Sequence, residues 1–308
     1  MIHLEETPWW ICDKEDINYC AYVDTDSNYF NAEPLLNHLY PDFESKTDEE
    51  KDNLLEQVAL KYQDIITAHY DELARDCFNV GTHRLEMKTE CVIRSAYFRA
   101  TRRYAQWITK QEGIAKESLD VKGLEFKKAN FPPIFGEFFN DILEQILKGA
   151  EQEHIDKLVL DFRNHVMSKD LDITKLGNPT SVKTLNEYVS RKPRAGEVMT
   201  ELKKGAPVNV KAAVKYNDLL NFWGIKDHSE IVQGDKIKWV YLKDNPYKIE
   251  QLGFLAFDMP DKIRTFLEDY ADRKKSFETI LQSKLENFYR DLGWTLNLNP
   301  NINKFFSF

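Results

Sequence analysis

The hexapeptide Tyr22-Val23-Asp24-Thr25-Asp26-Ser27 sets two carboxylates two positions apart. In an extended strand alternate side chains share a face, and in a tight turn they converge, so either conformation brings Asp24 and Asp26 side by side. Two like charges at that range repel unless a cation neutralises them. Hard carboxylate oxygens suit Mg²⁺, which takes one or two carboxylates and completes its shell with water and substrate phosphates. The plainer alternative is a solvated Asp-Thr-Asp turn, because acidic residues are common in turns. No other metal or redox motif is written in the chain. Cys12, Cys20, Cys77 and Cys91 make no C-x-x-C pair, which leaves buried or idle thiols in a reducing compartment, and the seven histidines form no ligand-spaced cluster.

Charge must be read locally. The 42 Lys and Arg residues against 51 Asp and Glu give 308 residues a net charge of −9, which on average argues against a polyanion partner. By segment, however, residues 1–80 carry 5 basic and 19 acidic side chains, whereas residues 81–130 carry 11 and 6. Residues 181–216 hold 8 basic against 3 acidic. Such asymmetry predicts sites of opposite sign on different elements.

The elements that must hold these residues follow from periodicity. Asn18–Phe30, rich in Tyr, Val and Cys around a polar centre, predicts a hairpin. Apolar residues from Leu54 to Cys77 recur every three or four positions, predicting an amphipathic helix over 49–77. Glu86–Phe98 and Arg102–Ile108 read as strands, followed by a loop containing Gly113 and Gly123. Phe131-Pro132-Pro133 marks a boundary, and helical patterns then run over 138–147 and 155–166. Val208–Tyr216 and Lys236–Leu242 alternate like strands, and helical periodicity returns over 261–292. The fold expected is α+β with two subdomains. No apolar run of membrane-spanning length and no basic-apolar leader is present, so a soluble, cytoplasmic protein without a membrane partner is expected.

The hexapeptide resembles the Y-G-D-T-D-S signature of family B DNA polymerases, with Val23 in place of the family's glycine. Downstream motifs follow in the family's order. The stretch around Glu90 (L-E-M-K-T-E-C-V-I) resembles the acidic palm strand, Arg102-Arg103-Tyr104 the K-K-x-Y segment, and Lys122-Gly123-Leu124-Glu125 the palm-to-thumb junction. Asn209 to Asn217, Val232 to Lys236, and Asn245-Pro246 are similar to the thumb of the replicative polymerases of T-even-type bacteriophages, and the aromatic end Phe305-Phe306-Ser307-Phe308 is similar to their clamp-binding tail.

The resemblance implies an antiparallel half-palm sheet with packed helices over 1–125, a mostly helical thumb with a small β element over 126–296, and a tether with a clamp-binding tail over 297–308. It implies two Mg²⁺ ions held by Asp26 and Asp24 as catalytic residues, with Glu90 as a third carboxylate or simply a solvated strand residue. Primer-template DNA would be gripped by Arg102, Arg103, Tyr104, Lys122, Lys127 and Lys128, and in the thumb by Arg191, Lys192, Arg194, Lys203 and Lys204. Phe305, Phe306 and Phe308 would anchor a sliding clamp.

The family's other catalytic aspartate, in D-x-x-S-L-Y-P, and its dNTP-binding helix precede the hairpin and are not found here. Leu39-Tyr40-Pro41 copies the end of that motif, but Leu35 and His38 stand at its aspartate and serine positions. The expectation is therefore half of a polymerase, working with an N-terminal polymerase fragment that carries exonuclease, fingers and the remaining aspartate, or forming the end of a longer enzyme. Trp9 and Trp10 serve that interface or core packing. The competing reading is a non-catalytic DNA- and sliding-clamp-binding module.

Overall fold

The computed structural model describes residues 19–194 and 196–298. Trp9, Trp10 and the aromatic tail lie outside the described residues. The fold is α+β with antiparallel sheets, and the chain divides into two compact units between Gly123 and Leu124.

In the first unit, β1 (Cys20–Asp24) and β2 (Ser27–Phe30) form the expected hairpin, with Asp24 opposite Ser27 and Thr25-Asp26 as the turn. Thr25 takes a left-handed φ of 50°, a conformation short polar residues tolerate best. After α1 (Glu33–Leu39) comes the long α2 (Asp48–Asp76). Its start is fixed by a capping box: the Thr47 hydroxyl accepts from the Glu50 amide, and the Glu50 carboxylate accepts from the Thr47 amide at 2.8 Å. Leu36 and Val58 are fully buried with Ala32, Leu35 and Phe43 in a small core between these elements.

The main sheet of the unit has the order β3 (Cys91–Ala100), β4 (Arg103–Gln111), β5 (Ile114–Lys122). β5 corrects the expected loop. Glu112 and Gly113 both have positive φ, 50° and 77°, the two-residue connection whose twist matches a hairpin. Ile114 to Glu117 are exposed, so the strand carries little of the apolar alternation by which strands are recognised. The strand expected from Glu86 begins only at Cys91. The Met87 and Thr89 amides instead donate to Thr67 Oγ1 (3.2 Å) and Gln63 Oε1 (2.8 Å) on α2, so this segment is held by helix side chains rather than by a ladder.

α2 is also joined to the sheet by charge. Asp52, 6% exposed, accepts from Arg94 at 2.6 Å, Asp48 accepts from the same guanidinium at 2.7 Å, and Glu56 meets Lys110 at 2.6 Å. Removing one member of a buried pair strands the other charge in a poorly solvated place. Arg94→Met is accordingly expected to destabilise this unit by about 2–3 kcal/mol, measured as a lowered urea midpoint; an unchanged midpoint would show that the pairs are dispensable.

In the second unit, Phe126 is buried and stacks on Phe139 at 4.6 Å between ring centroids. Phe139 lies on α3 (Pro133–Leu147), which α4 (Gln152–Met167) follows. A three-stranded antiparallel sheet has the order β10, β9, β6, made of β6 (Asn178–Ser181), β9 (Lys236–Tyr241) and β10 (Gln251–Phe254); β7 (Val189–Arg191) and β8 (Glu201–Leu202) pair separately.

Residues 208–216, expected as a strand, are instead the first half of α5 (Val208–Trp223). Pro207 precedes the helix and Gly224 ends it with φ 68°, the Pro-then-Gly punctuation of a helix. Val210, Ala212, Ala213 and Tyr216 are all fully buried, so the helix is apolar on more than one face and its first half imitates strand alternation. Gly253 on β10 permits its close approach, since a Cβ there would lie 3.1 Å from the Ala212 carbonyl. Over 261–292 the expected helix is interrupted once: α6 (Asp261–Tyr270) ends at Ala271, and α7 (Arg273–Ser276) then runs through a π-helical stretch at Phe277–Gln282 into α8 (Ser283–Asp291). The break at Ala271-Asp272 lets the buried Arg273 donate to the Val166 and Leu171 carbonyls.

Candidate functional site

The hairpin is attached to the main sheet of its unit through four aromatic rings. Tyr22 and Tyr29 project from β1 and β2 onto Phe98 of β3 and Tyr104 of β4, with ring centroids between 5.4 and 5.8 Å apart. Tilted and edge-on pairs at this range add about 0.5–1.5 kcal/mol each beyond burial. The Tyr29 and Tyr104 hydroxyls meet at 3.0 Å, and burial together with Tyr104 pushes the Tyr29 hydroxyl far above its ordinary pKa. The Tyr29 phenol is therefore kept neutral, able both to donate and to accept in this contact.

This docking brings the Asp24–Asp26 turn beside the β3–β4 connection, Thr101-Arg102. Arg102 has a φ of 60°, an unfavourable conformation for a side chain with a Cβ, and two interactions hold it there. Its amide donates to Tyr22 Oη at 3.0 Å, and its guanidinium grips Asp24 with both arms, Nε to Oδ2 at 2.9 Å and Nη2 to Oδ1 at 3.2 Å. Thr25 Oγ1 adds a third donor to Asp24 at 3.1 Å. The Arg102 hydrogen bonds hold the Asp24 carboxyl below the usual carboxylate range. A carboxylate with a depressed pKa stabilises the fold above its unfolded value, and that contribution is lost as pH falls through the folded one.

Asp26 differs. It is exposed, its amide donates to the Asp24 carbonyl at 2.6 Å, and its carboxylate has no partner among the described residues. Val23 is 58% exposed and pairs across the hairpin with Asn28, so its branched side chain does not disturb the turn.

Lys122 lies on β5 opposite Tyr104 and pairs with Asp120 at 3.2 Å. Arg103 is exposed and has no ion pair among the described residues. Gly123 follows with φ 63°, and a Cβ there would fall 2.0 Å from the Arg102 carbonyl oxygen. Only glycine lets the chain pass under the Arg102 turn. Gly123→Ala is expected to cost about 2 kcal/mol or more by combining a left-handed alanine with a backbone clash, read from urea unfolding of the unit; a cost below about 0.5 kcal/mol would show that the turn can move freely.

The other candidates are dispersed. Glu90 is exposed at the start of β3, its carbonyl accepting from Glu112 at 2.7 Å. Ten residues of strand, about 30 Å at 3.3 Å per residue, separate it from the Arg102 turn. It does not join Asp24 and Asp26, and among the described residues no group of three His, Cys, Asp or Glu side chains is gathered to hold a metal ion. Lys127 and Lys128 are exposed in the second unit, beside the buried Phe126.

Arg191 is committed within its own hairpin, to Glu197 at 2.6 Å and Glu201 at 3.1 Å, and is not an open cation. Counting charges along the segment could not show this, because Glu201 becomes its neighbour only by strand pairing. Lys192 and Arg194 line a cleft of about 860 Å³ with Thr200, Asp218 and Phe222. Lys203 and Lys204 are exposed before Gly205.

The sequence reading missed Tyr22, Tyr29 and Phe98 as positioning residues. Their signal was available, since Tyr22 shares a strand face with Asp24 and aromatic residues recur on the paired strands. Among protein-family models and curated proteins, no match to this chain is found.

Proposed function

We propose that this chain is the C-terminal part of a family B replicative DNA-directed DNA polymerase, half of the palm followed by the thumb, transferring a nucleotidyl group from a dNTP to a primer 3′-hydroxyl. One observation carries the reading: three separate sequence motifs converge in the first unit. Tyr22 to Ser27, Arg102 to Tyr104, and Lys122-Gly123 are joined by the Tyr22–Arg102, Asp24–Arg102 and Tyr29–Tyr104 hydrogen bonds and by the fit of Gly123 under Arg102. Residues nearly eighty positions apart have no local reason to meet in this way.

The donor set suits Mg²⁺ in type and is incomplete in number. Two hard carboxylates share one turn, Asp26 open and Asp24 held by a displaceable cation, which fits an ion that accepts one or two carboxylates and otherwise keeps water and phosphate. When bound, the metal pair lowers the pKa of the primer hydroxyl and neutralises charge on the transferring phosphate. Asp26 would supply the direct ligand and Asp24 the secondary one, while Arg103, Tyr104 and Lys122 position the primer duplex through its backbone without reading sequence. Lys127, Lys128, Lys192, Arg194, Lys203 and Lys204 would continue the contact in the thumb. The terminal Phe305, Phe306 and Phe308 would dock on a sliding clamp.

An N-terminal fragment carrying exonuclease, fingers and the other aspartate is the partner this reading requires. Two features support an extended interface on the first unit. β1 and β2 form a sheet of only two strands, each with an unpaired edge among the described residues, and such a hairpin is marginal alone. Leu60, Ile65, Phe78, Leu85 and Ile114 are between 45% and 71% exposed, more apolar surface than a finished unit usually leaves to water. Among the described residues no helix is long and apolar enough to cross a membrane.

The deciding experiment is reconstitution with the upstream fragment. Asp26→Asn is expected to abolish primer extension while primer-template binding is retained, and full extension by the variant would reject the reading. Arg103→Ala should weaken duplex binding equally for all sequences and reduce the slope of log K against log salt by about 1. A sequence-dependent loss would assign Arg103 to base readout instead.

A further inference from the structure

The two carboxylates of the hairpin turn are in opposite states. Asp26 is open, whereas both oxygens of Asp24 are taken: Oδ2 by Arg102 Nε at 2.9 Å and by the Tyr22 hydroxyl at 3.5 Å, Oδ1 by Arg102 Nη2 at 3.2 Å and by Thr25 Oγ1 at 3.1 Å. A guanidinium fork across a carboxylate occupies the positions a metal ion would need. The arrangement is built rather than incidental, because the Arg102 backbone is held left-handed by the Tyr22 hydroxyl and its carbonyl is closely covered by Gly123. It is nevertheless displaceable. The Arg102 side chain is 73% exposed, and exposed ion pairs are weak and screened by solvent. Each partner also has a stronger competitor in the proposed reaction, a divalent cation for Asp24 and a DNA phosphate for Arg102.

We propose that Arg102 is an internal counter-ion that gates Asp24, closing the carboxylate to divalent cations while the chain is free of DNA and releasing it when a DNA phosphate takes the guanidinium. Metal loading and duplex binding then support each other through a single exchanged ion pair, and linkage requires the effect to be reciprocal. The identities of the phosphate and the cation rest on the polymerase reading, while the blocked carboxylate rests on the geometry of the first unit.

The test uses the full 308-residue chain without its partner fragment. Mn²⁺ is titrated and followed by the electron paramagnetic resonance signal of the free ion. Arg102→Gln is expected to bind Mn²⁺ about two- to fivefold more tightly than the unaltered chain, with the gain lost in Arg102→Gln combined with Asp24→Asn. Arg102→Lys, which keeps the charge without the fork, should fall between them. It carries the test if circular dichroism shows that Arg102→Gln is unfolded. Equal Mn²⁺ affinity with and without the arginine, including no measurable site in either, overturns the gate.

The reciprocal arm measures duplex binding by fluorescence anisotropy. Asp24→Asn should tighten primer-template binding about two- to fivefold when Arg102 is present and leave it unchanged in the Arg102→Gln background. The same gain in both backgrounds would reduce the effect to a lost negative charge and overturn the exchange. Both shifts without primer extension by the reconstituted enzyme would reject the polymerase reading and leave the gate standing. Extension with neither shift would reject the gate alone.

Discussion

The geometry of the Asp24–Arg102 turn depends on how a two-stranded hairpin with almost no core of its own is held in place. Four rings, Tyr22, Tyr29, Phe98 and Tyr104, do this, and the Tyr29–Tyr104 and Tyr22–Arg102 hydrogen bonds add direction that apolar contact lacks. Phe30, 4.5 Å from the Tyr62 ring, anchors the other end of the hairpin on α2, so the four rings are what orient its turn end, where Asp24 and Asp26 lie. Gly123 belongs to the same device, since its missing Cβ lets the strand end pass beneath the turn that carries Arg102. The candidate site residues are thus set by a hydrophobic platform and one steric allowance.

The charge asymmetry along the chain takes on a second meaning. The excess acid of the first 80 residues and the basic excess after residue 81 look like sites for separate partners. In the folded unit part of that charge meets itself: Arg94 binds Asp48 and Asp52, Lys110 binds Glu56, and Arg102 binds Asp24. The acidic helix and the basic strands are complementary surfaces of one unit. Of the cations expected at the duplex, Arg103 is the one in this unit that has no carboxylate partner among the described residues, while Arg102 and Lys122 are shared with Asp24 and Asp120. Under the proposed function, a DNA phosphate would compete with internal carboxylates at two of the three positions.

What the sequence made legible follows the strength of local signals. The hairpin, the long helix and the β9 strand carry their period or their turn chemistry in the residues themselves, and each forms where expected, whereas Phe131-Pro132-Pro133 opens α3 and the two units divide earlier, between Gly123 and Leu124. β5 was hidden because an exposed edge strand needs no apolar alternation, and the Glu112-Gly113 turn that creates it is only two residues long. α5 was mistaken for a strand because burial on several faces hides the helical period, although Pro207 and Gly224 marked its ends. The carboxylate pair was visible as a spacing. Its engagement by Arg102 was not, because a contact across nearly eighty residues is a property of the fold.

The same consideration separates Asp24 from Asp26 in a way that spacing could not. Identical side chains two positions apart look equivalent in sequence, yet the pleat directs Asp24 from the end of β1 toward the Arg102 turn and leaves Asp26 in the connection, facing solvent. A cation arriving at the turn therefore meets one free carboxylate first and must displace a guanidinium to reach the second. Under the proposed function, the incomplete ligand set would be protected in this state from closing prematurely on a metal ion. Because the ion pair is exposed and weak, its displacement requires no rearrangement of the platform beneath it: the four rings and Gly123 keep their places while a single arginine side chain moves.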